Sequence, residues 1–158
     1  MIYADSSFLL RLLSHEAGSA DAVALFRKLG RPAMVFSPLH EVEVRNALRA
    51  KAFIEKQSLP AKKRAAVDAE LANWESRLER FLTRGTFATA DVDWSAAIAR
   101  ALRLSARHTL QLGTRAYDIL HVAFALELHC SVFITCDIRQ TALAKSAGLK
   151  ATLAEVHD

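Results

Sequence analysis

The sequence predicts an α/β domain in which a mostly parallel sheet is covered by helices. Three observations predict it. Short apolar runs alternate with stretches of helical spacing along the whole chain. Strands alternating with helices make βα units, and βα units put their strands in parallel. Val132-Phe133-Ile134 is a continuous apolar run, as expected of a parallel strand covered on both faces.

The elements follow in order. Ile2-Tyr3-Ala4 is a short strand ending at Asp5. Ser6 to Leu13 and Ser19 to Leu29 have helical spacing, and Gly30 stops the second helix. Ala33 to Phe36 is a second strand, closed by Ser37-Pro38. A long helix is expected from Leu39 to Lys56, and Pro60 begins another, with Ala65, Leu71, Leu78 and Leu82 on its apolar stripe. These two helices are expected to pair as a hairpin beside the sheet. Thr86 to Thr89 is a third strand, followed by helices from Trp94 to Leu110 and Ala116 to His129. Ser131 to Thr135 is a strand, Ile138 to Ala147 a helix stopped by Gly148, and Lys150 to Leu153 a last strand.

A chain of 158 residues fits one domain, taken as residues 1–158. Two cysteines, Cys130 and Cys136, do not make a disulfide framework and point to a reducing, cytoplasmic setting. The first residues lack the basic start and apolar core of a signal peptide. No apolar run approaches the roughly 20 residues that span a bilayer, so no membrane partner is expected. The net charge of +4 suits a polyanionic partner without specifying one.

Four acids carry the chemistry. Asp5 follows the first strand and Asp137 follows the strand ending at Thr135. In a parallel sheet both ends lie on one edge, beyond which such folds place their sites. Asp118 opens a helix that is apolar almost all round, so it stands at the rim of the core. Glu43 lies early in the long helix, with Asn46 one turn later on the same face. Carboxylates brought together raise one another's pKa, and a divalent cation removes that penalty. Oxygen ligands without a His or Cys set point to Mg²⁺, with Mn²⁺ as substitute. A metal-bound water is then a nucleophile for a phosphodiester. Each acid also has a structural reading. Asp5, Asp118 and Asp137 can cap helices, Asp137 in a capping box with Gln140, and Glu43 can be a solvated helix residue. Capping and metal binding are compatible, and spacing leaves both open.

At this point the chain resembles the PIN-domain family, specifically VapC-type ribonuclease toxins of toxin–antitoxin pairs. The resemblance covers nearly the whole chain. It rests on Tyr3-Ala4-Asp5-Ser6-Ser7, Glu43-Val44-Arg45-Asn46-Ala47-Leu48, Tyr117-Asp118-Ile119-Leu120-His121-Val122-Ala123 and Thr135-Cys136-Asp137-Ile138-Arg139-Gln140. Each motif is weak by itself. All four in this order, each with its acid, are specific.

The resemblance implies a three-layer αβα fold with a five-stranded parallel sheet and a protruding helical region over residues 39–83. It implies catalytic Asp5, Glu43, Asp118 and Asp137, with Asp5, Asp118 and Asp137 on the metal. Ser6 and Thr135 match small hydroxyl residues near the metal, and Asn46 a position that braces the site. It further implies endonucleolytic cleavage of structured RNA such as tRNA or rRNA, a homodimer, and a small antitoxin whose tail blocks the pocket.

Other residues are weighed against plainer roles. His121 lies one turn after Asp118 and is expected to be a packed core histidine rather than a ligand. His15, His40, His108, His129 and His157 are scattered and are assigned no role. Cys136 reads as a small buried strand-end residue. Arg100, Arg103 and Arg107 form one basic stripe, and with Arg45 and Arg49 they are candidates for phosphate contacts. The plain alternatives are a solvated helix face, or pairing of Arg45 or Arg49 with the acids. Trp74, Phe81 and Trp94 are read as core or dimer-seam residues.

Three other functions compete. One is a non-catalytic PIN-fold module that holds RNA or protein, which the full acid set disfavours. A phosphotransfer domain needs a second Asp two residues after Asp5, where Ser7 stands, or acids after strands two and three, which end in Ser37-Pro38 and Thr89-Ala90. A DNA flap nuclease or exonuclease needs threading insertions, for which the chain has no room.

Overall fold

Asp5, Ser37, Asp93 and Asp137 each stand in extended backbone just before a helix and set its start. The computed structural model describes residues 1–154 and orders them as β1 (Ile2–Ala4), α1 (Ser6–Leu13), α2 (Ser19–Lys28), β2 (Met34–Phe36), α3 (Pro38–Ser58), α4 (Arg64–Thr83), β3 (Phe87–Thr89), α5 (Trp94–Leu112), α6 (Ala116–Glu127), β4 (Val132–Thr135), α7 (Ile138–Ser146) and β5 (Lys150–Leu153). His157 lies outside the described residues.

The five strands form one sheet in the order β3-β2-β1-β4-β5, and every pair is parallel. From β1 the chain winds outward to β2 and β3, then returns to the other side of β1 for β4 and β5. The strand order therefore reverses between β1 and β4. A crevice opens beyond the strand ends at such a switch point. The register there pairs Ala4 with Ile134, and the Asp5 amide donates to the Ile134 carbonyl at 2.9 Å.

Alternation along the strands splits the core into two layers. Ala4, Met34, Phe36 and Ile134 face a cluster with Phe8, Leu48, Trp74 and Leu78 from α1, α3 and α4. Tyr3, Val35 and Phe133 face the opposite cluster, with Ala97, Val122, Phe124 and Leu143 from α5, α6 and α7. This is the expected three-layer αβα arrangement.

The helices α3 and α4 form an antiparallel hairpin. Lys56 pairs with Asp68, Arg49 with Glu75 and Arg45 with Glu79, in opposite order along the two helices. Between Ala52 and Val67 no residue is fully buried, and Leu59 at the turn is half-buried against the first core layer. One boundary differs from expectation. Pro60 does not open α4: its ψ of 148° is extended, and a 3-10 turn at Ala61–Lys63 intervenes. The aromatic expectations divide. Trp74 is buried and Phe81 packs edge-on against Phe87 at 5.0 Å, whereas Trp94 is 46 % exposed and only edges onto Phe124. Cys130 and Cys136 are free, and Cys136 is half-buried just past β4 rather than buried at its end. Among the described residues no helix is long and apolar enough to cross a membrane.

Candidate active site

Asp5 ends β1 and caps α1 through a hydrogen bond from the Phe8 amide at 3.0 Å. Its other contacts come from hydroxyls. Ser7 Oγ lies 2.8 and 2.9 Å from the two carboxylate oxygens, and Thr135 Oγ1 lies 2.8 Å from Oδ2. The carboxyl is buried, and burial pushes its pKa up against the His121 charge and these hydrogen bonds. A buried carboxylate with no cationic partner in direct contact is a place where a metal ion lowers the electrostatic cost.

Thr135 connects two acids. Its hydroxyl proton is shared between Asp5 Oδ2 and Gln140 Oε1 at 2.7 Å, while its oxygen accepts from the Asp137 amide at 3.0 Å. Asp137 caps α7 through the amides of Arg139 and Gln140 at 2.7 and 3.2 Å. Burial pushes Asp137 up, but these amides and the nearby Arg139 guanidinium outweigh it and hold the carboxyl below its usual range. The expected capping box is therefore half-formed. Gln140 does not reach back to the Asp137 amide, which Thr135 has taken. Its side chain instead spans Thr135 and the Asp118 carbonyl at 3.4 Å. Asp118, in the first turn of α6, is half-buried and accepts from the Arg115 amide at 2.9 Å.

Glu43 is brought in by a second set of contacts. Ser6 Oγ donates to its Oε2 at 2.7 Å, and the same oxygen meets His121 Nε2. Burial pushes Glu43 up, but the His121 hydrogen bond and charge and the Ser6 hydroxyl more than offset it, leaving the pKa lowered. The run Asp5-Ser6-Ser7 thus joins both sets, with Ser6 on Glu43 and Ser7 on Asp5.

His121 is buried, as expected of a core histidine, and it also contacts Glu43. His40, which carried no expected role, is buried too. Its Nδ1 accepts from the Ser37 amide at 3.0 Å, which leaves Nε2–H to donate to the Ala4 carbonyl at 2.8 Å. Burial, then the His121 charge, lower its pKa well below the usual value, so it is neutral and fastens α3 to the residue before Asp5. The signals missed in the sequence were Ser7, two residues after Asp5, and His40, three after Ser37.

Asn46 is exposed and makes no hydrogen bond, so among the described residues it does not brace the acids. Arg45 and Arg49 pair with Glu41, Glu79 and Glu75 and not with the site acids. Arg100 pairs with Glu127 at the far end of α6 from Asp118, about 14 Å along the helix axis. Arg103 and Arg107 remain exposed beside His108, lining a cavity of about 180 Å³ with Arg100.

Among the described residues no three His, Cys, Asp or Glu side chains converge closely enough to cage a metal ion. The donors still suit a hard, hydrated cation. They are oxygens, and Mg²⁺ keeps several waters and takes only one or two carboxylates directly.

The family model described as PIN domain matches residues 2–146. The chain belongs to the PIN-domain family. PIN domains are generally nucleases and typically use divalent metals. Solved structures share the PIN fold at low identity. FitAcB from Neisseria gonorrhoeae is 18% identical, with 98% of each chain covered and a TM-score of 0.63. A structure of FitAB bound to an IR36 DNA fragment is 17% identical, covering 100% of this chain and 98% of that one, with a TM-score of 0.63. PAE2754 from Pyrobaculum aerophilum is 19% identical, covering 95% and 87%, with a TM-score of 0.53. No curated protein matches the sequence.

Proposed function

We propose that this PIN domain is a Mg²⁺-dependent endoribonuclease, with Mn²⁺ as a substitute, that acts through Asp5, Glu43, Asp118 and Asp137. The observation that carries the reading is the hydrogen-bonded run from Glu43 through Asp5-Ser6-Ser7 to Thr135, Asp137 and Gln140, at the crevice where the strand order reverses. Asp5, Asp118 and Asp137 are the residues to hold the ion. A bound divalent ion supplies charge neutralisation on the phosphate and an activated water. The chain's own groups do the positioning: Ser7 and Thr135 fix the Asp5 carboxylate, and Ser6 and His121 fix Glu43.

The proposal extends to a toxin of the VapC type in the cytoplasm, acting on tRNA or rRNA as a homodimer and restrained by an antitoxin protein. The four motifs around the acids support it, as does the fold shared with FitAcB. Arg103 and Arg107 are the best candidates for RNA phosphates, being exposed and without partners among the described residues.

A second reading is a PIN-fold RNA- or protein-binding module without turnover. Its support is the exposed pair Arg103 and Arg107, which can contact RNA phosphates whether or not the acids cut. Incubating purified protein with total RNA and with DNA, in Mg²⁺ and in EDTA, separates the two. Discrete RNA fragments that vanish in EDTA are expected. Intact RNA that is nevertheless bound would favour the module.

A further inference from the structure

The imidazole of His121 touches two of the three elements that deliver Asp5, Glu43 and Asp118. It sits one turn after Asp118 on α6, with its side chain almost fully buried. Its Nδ1 lies 2.8 Å from the hydroxyl of Tyr3, a fully buried β1 residue two positions before Asp5. Its Nε2 meets the Glu43 carboxylate on α3. No buried side-chain polar atom is left without a partner among the described residues, so both ring nitrogens are engaged.

The chemistry of the partners fixes the proton on Nε2. An ionised carboxylate only accepts hydrogen bonds, so Nε2 must carry a hydrogen to face Glu43. Nδ1 then faces the Tyr3 hydroxyl, which can donate to it or accept from it. The phenol is kept protonated by burial, which raises its pKa well above the usual value. Glu43 needs such a partner. It projects from a helix whose neighbouring residues Val42 and Asn46 are exposed, and its side chain has several rotatable bonds. Ser6 gives it one hydrogen bond, and a single bond leaves the carboxylate free to swing.

We propose that His121 is the positioning residue for Glu43: anchored to Tyr3, it donates through Nε2 and locks the carboxylate into the acidic crevice. The inference rests on the nuclease reading for its effect on turnover, but not for its geometry. His121 touches no substrate and acts through Glu43.

Two substitutions separate this role from core packing. His121→Gln places an amide N–H near the Nε2 position and keeps a donor to Glu43 while giving up the Tyr3 contact. His121→Asn places its amide near Nδ1, keeping the Tyr3 contact and losing Glu43. The Asn variant is expected to lose roughly 10- to 100-fold in kcat, the scale of loss from a misplaced catalytic group, with KM nearly unchanged. The Gln variant is expected to stay close to wild type in kcat, and the two variants to melt at similar temperatures. Equal losses in both variants that follow their melting temperatures would overturn the proposal, as would a fully active Asn variant.

A readout free of RNA runs beside this. In protein ¹³C-labelled at glutamate Cδ, the Glu43 resonance is identified by its disappearance in Glu43→Gln. It is expected to shift in His121→Asn and to remain near its wild-type position in His121→Gln; no shift in His121→Asn contradicts the proposal. If the wild-type protein cuts no RNA, the nuclease reading fails by itself, and the carboxylate resonance still decides the role of His121.

Discussion

Thr135 Oγ1 lies 2.8 Å from Asp5 Oδ2, so the last residue of β4 fastens the acid that ends the neighbouring strand β1. The contact follows from the parallel register, which sets Ala4 beside Ile134 and carries the next residues side by side. The same hydroxyl meets Gln140 and the Asp137 amide.

Thr135→Val keeps the shape of the side chain and removes that hydroxyl. Asp5, Gln140 and the Asp137 amide each lose the partner that the fully buried Thr135 supplies. The expected loss of stability is about 1–3 kcal/mol, read by urea denaturation. A variant as stable as wild type would mean the hydroxyl is not holding the two acids.

Asp5 and Glu43 are expected to respond oppositely to pH. Burial raises the folded-state pKa of Asp5, so its stabilising contribution is present below the unfolded value and lost as pH rises through the folded value. Ionised Asp5 is thus a cost at neutral pH. In EDTA at pH 7, Asp5→Asn should melt higher than wild type, and the gap should close in acid. For Glu43 burial raises the pKa, but His121 and Ser6 lower it on balance. Its contribution is present above the unfolded pKa and lost as pH falls through the folded one. Glu43→Gln should therefore be less stable than wild type at pH 7, with the difference fading in acid. Thermal melts from pH 3 to 7 check both signs.

Trp74 anchors the α3–α4 hairpin, buried against the first core layer with Lys51 Nζ 5.0 Å from its ring centre. Trp74→Ala should cost about 3–5 kcal/mol in chemical denaturation. Trp94→Ala, at a half-exposed site, should cost clearly less. Equal losses would contradict the burial pattern.

Arg103 and Arg107 are exposed and without internal partners among the described residues. Replacing both with Ala should weaken RNA binding without changing the melting temperature. The slope of log affinity against log salt should flatten by about 1–2. An unchanged slope would place the RNA elsewhere.

Much of the fold was legible because its punctuation is local. Asp5, Ser37-Pro38, Gly30 and Gly148 start or stop helices by their own chemistry, and the observed boundaries fall close to them. Pro60 misled because its missing N–H suits a turn as well as a helix start. The four candidate acids were named through motif order. Their supports were not, because each depends on contacts between distant parts of the chain. His121 reaches Glu43 across 78 positions, and His40 reaches Ala4 across 36. Arg45 and Arg49 find Glu79 and Glu75 only once the hairpin register exists. Asn46 shares a helix face with Glu43 by spacing, yet that face turns to solvent at Asn46.

The central claim is that the acids around Asp5 form a divalent-metal site. The most direct measurement is Mn²⁺ binding followed by electron paramagnetic resonance, in wild type and in Asp5→Asn. Saturable binding by wild type, displaced by Mg²⁺ and abolished in the variant, is the predicted result. Binding of equal strength in Asp5→Asn, or none in the folded wild-type protein, would contradict it.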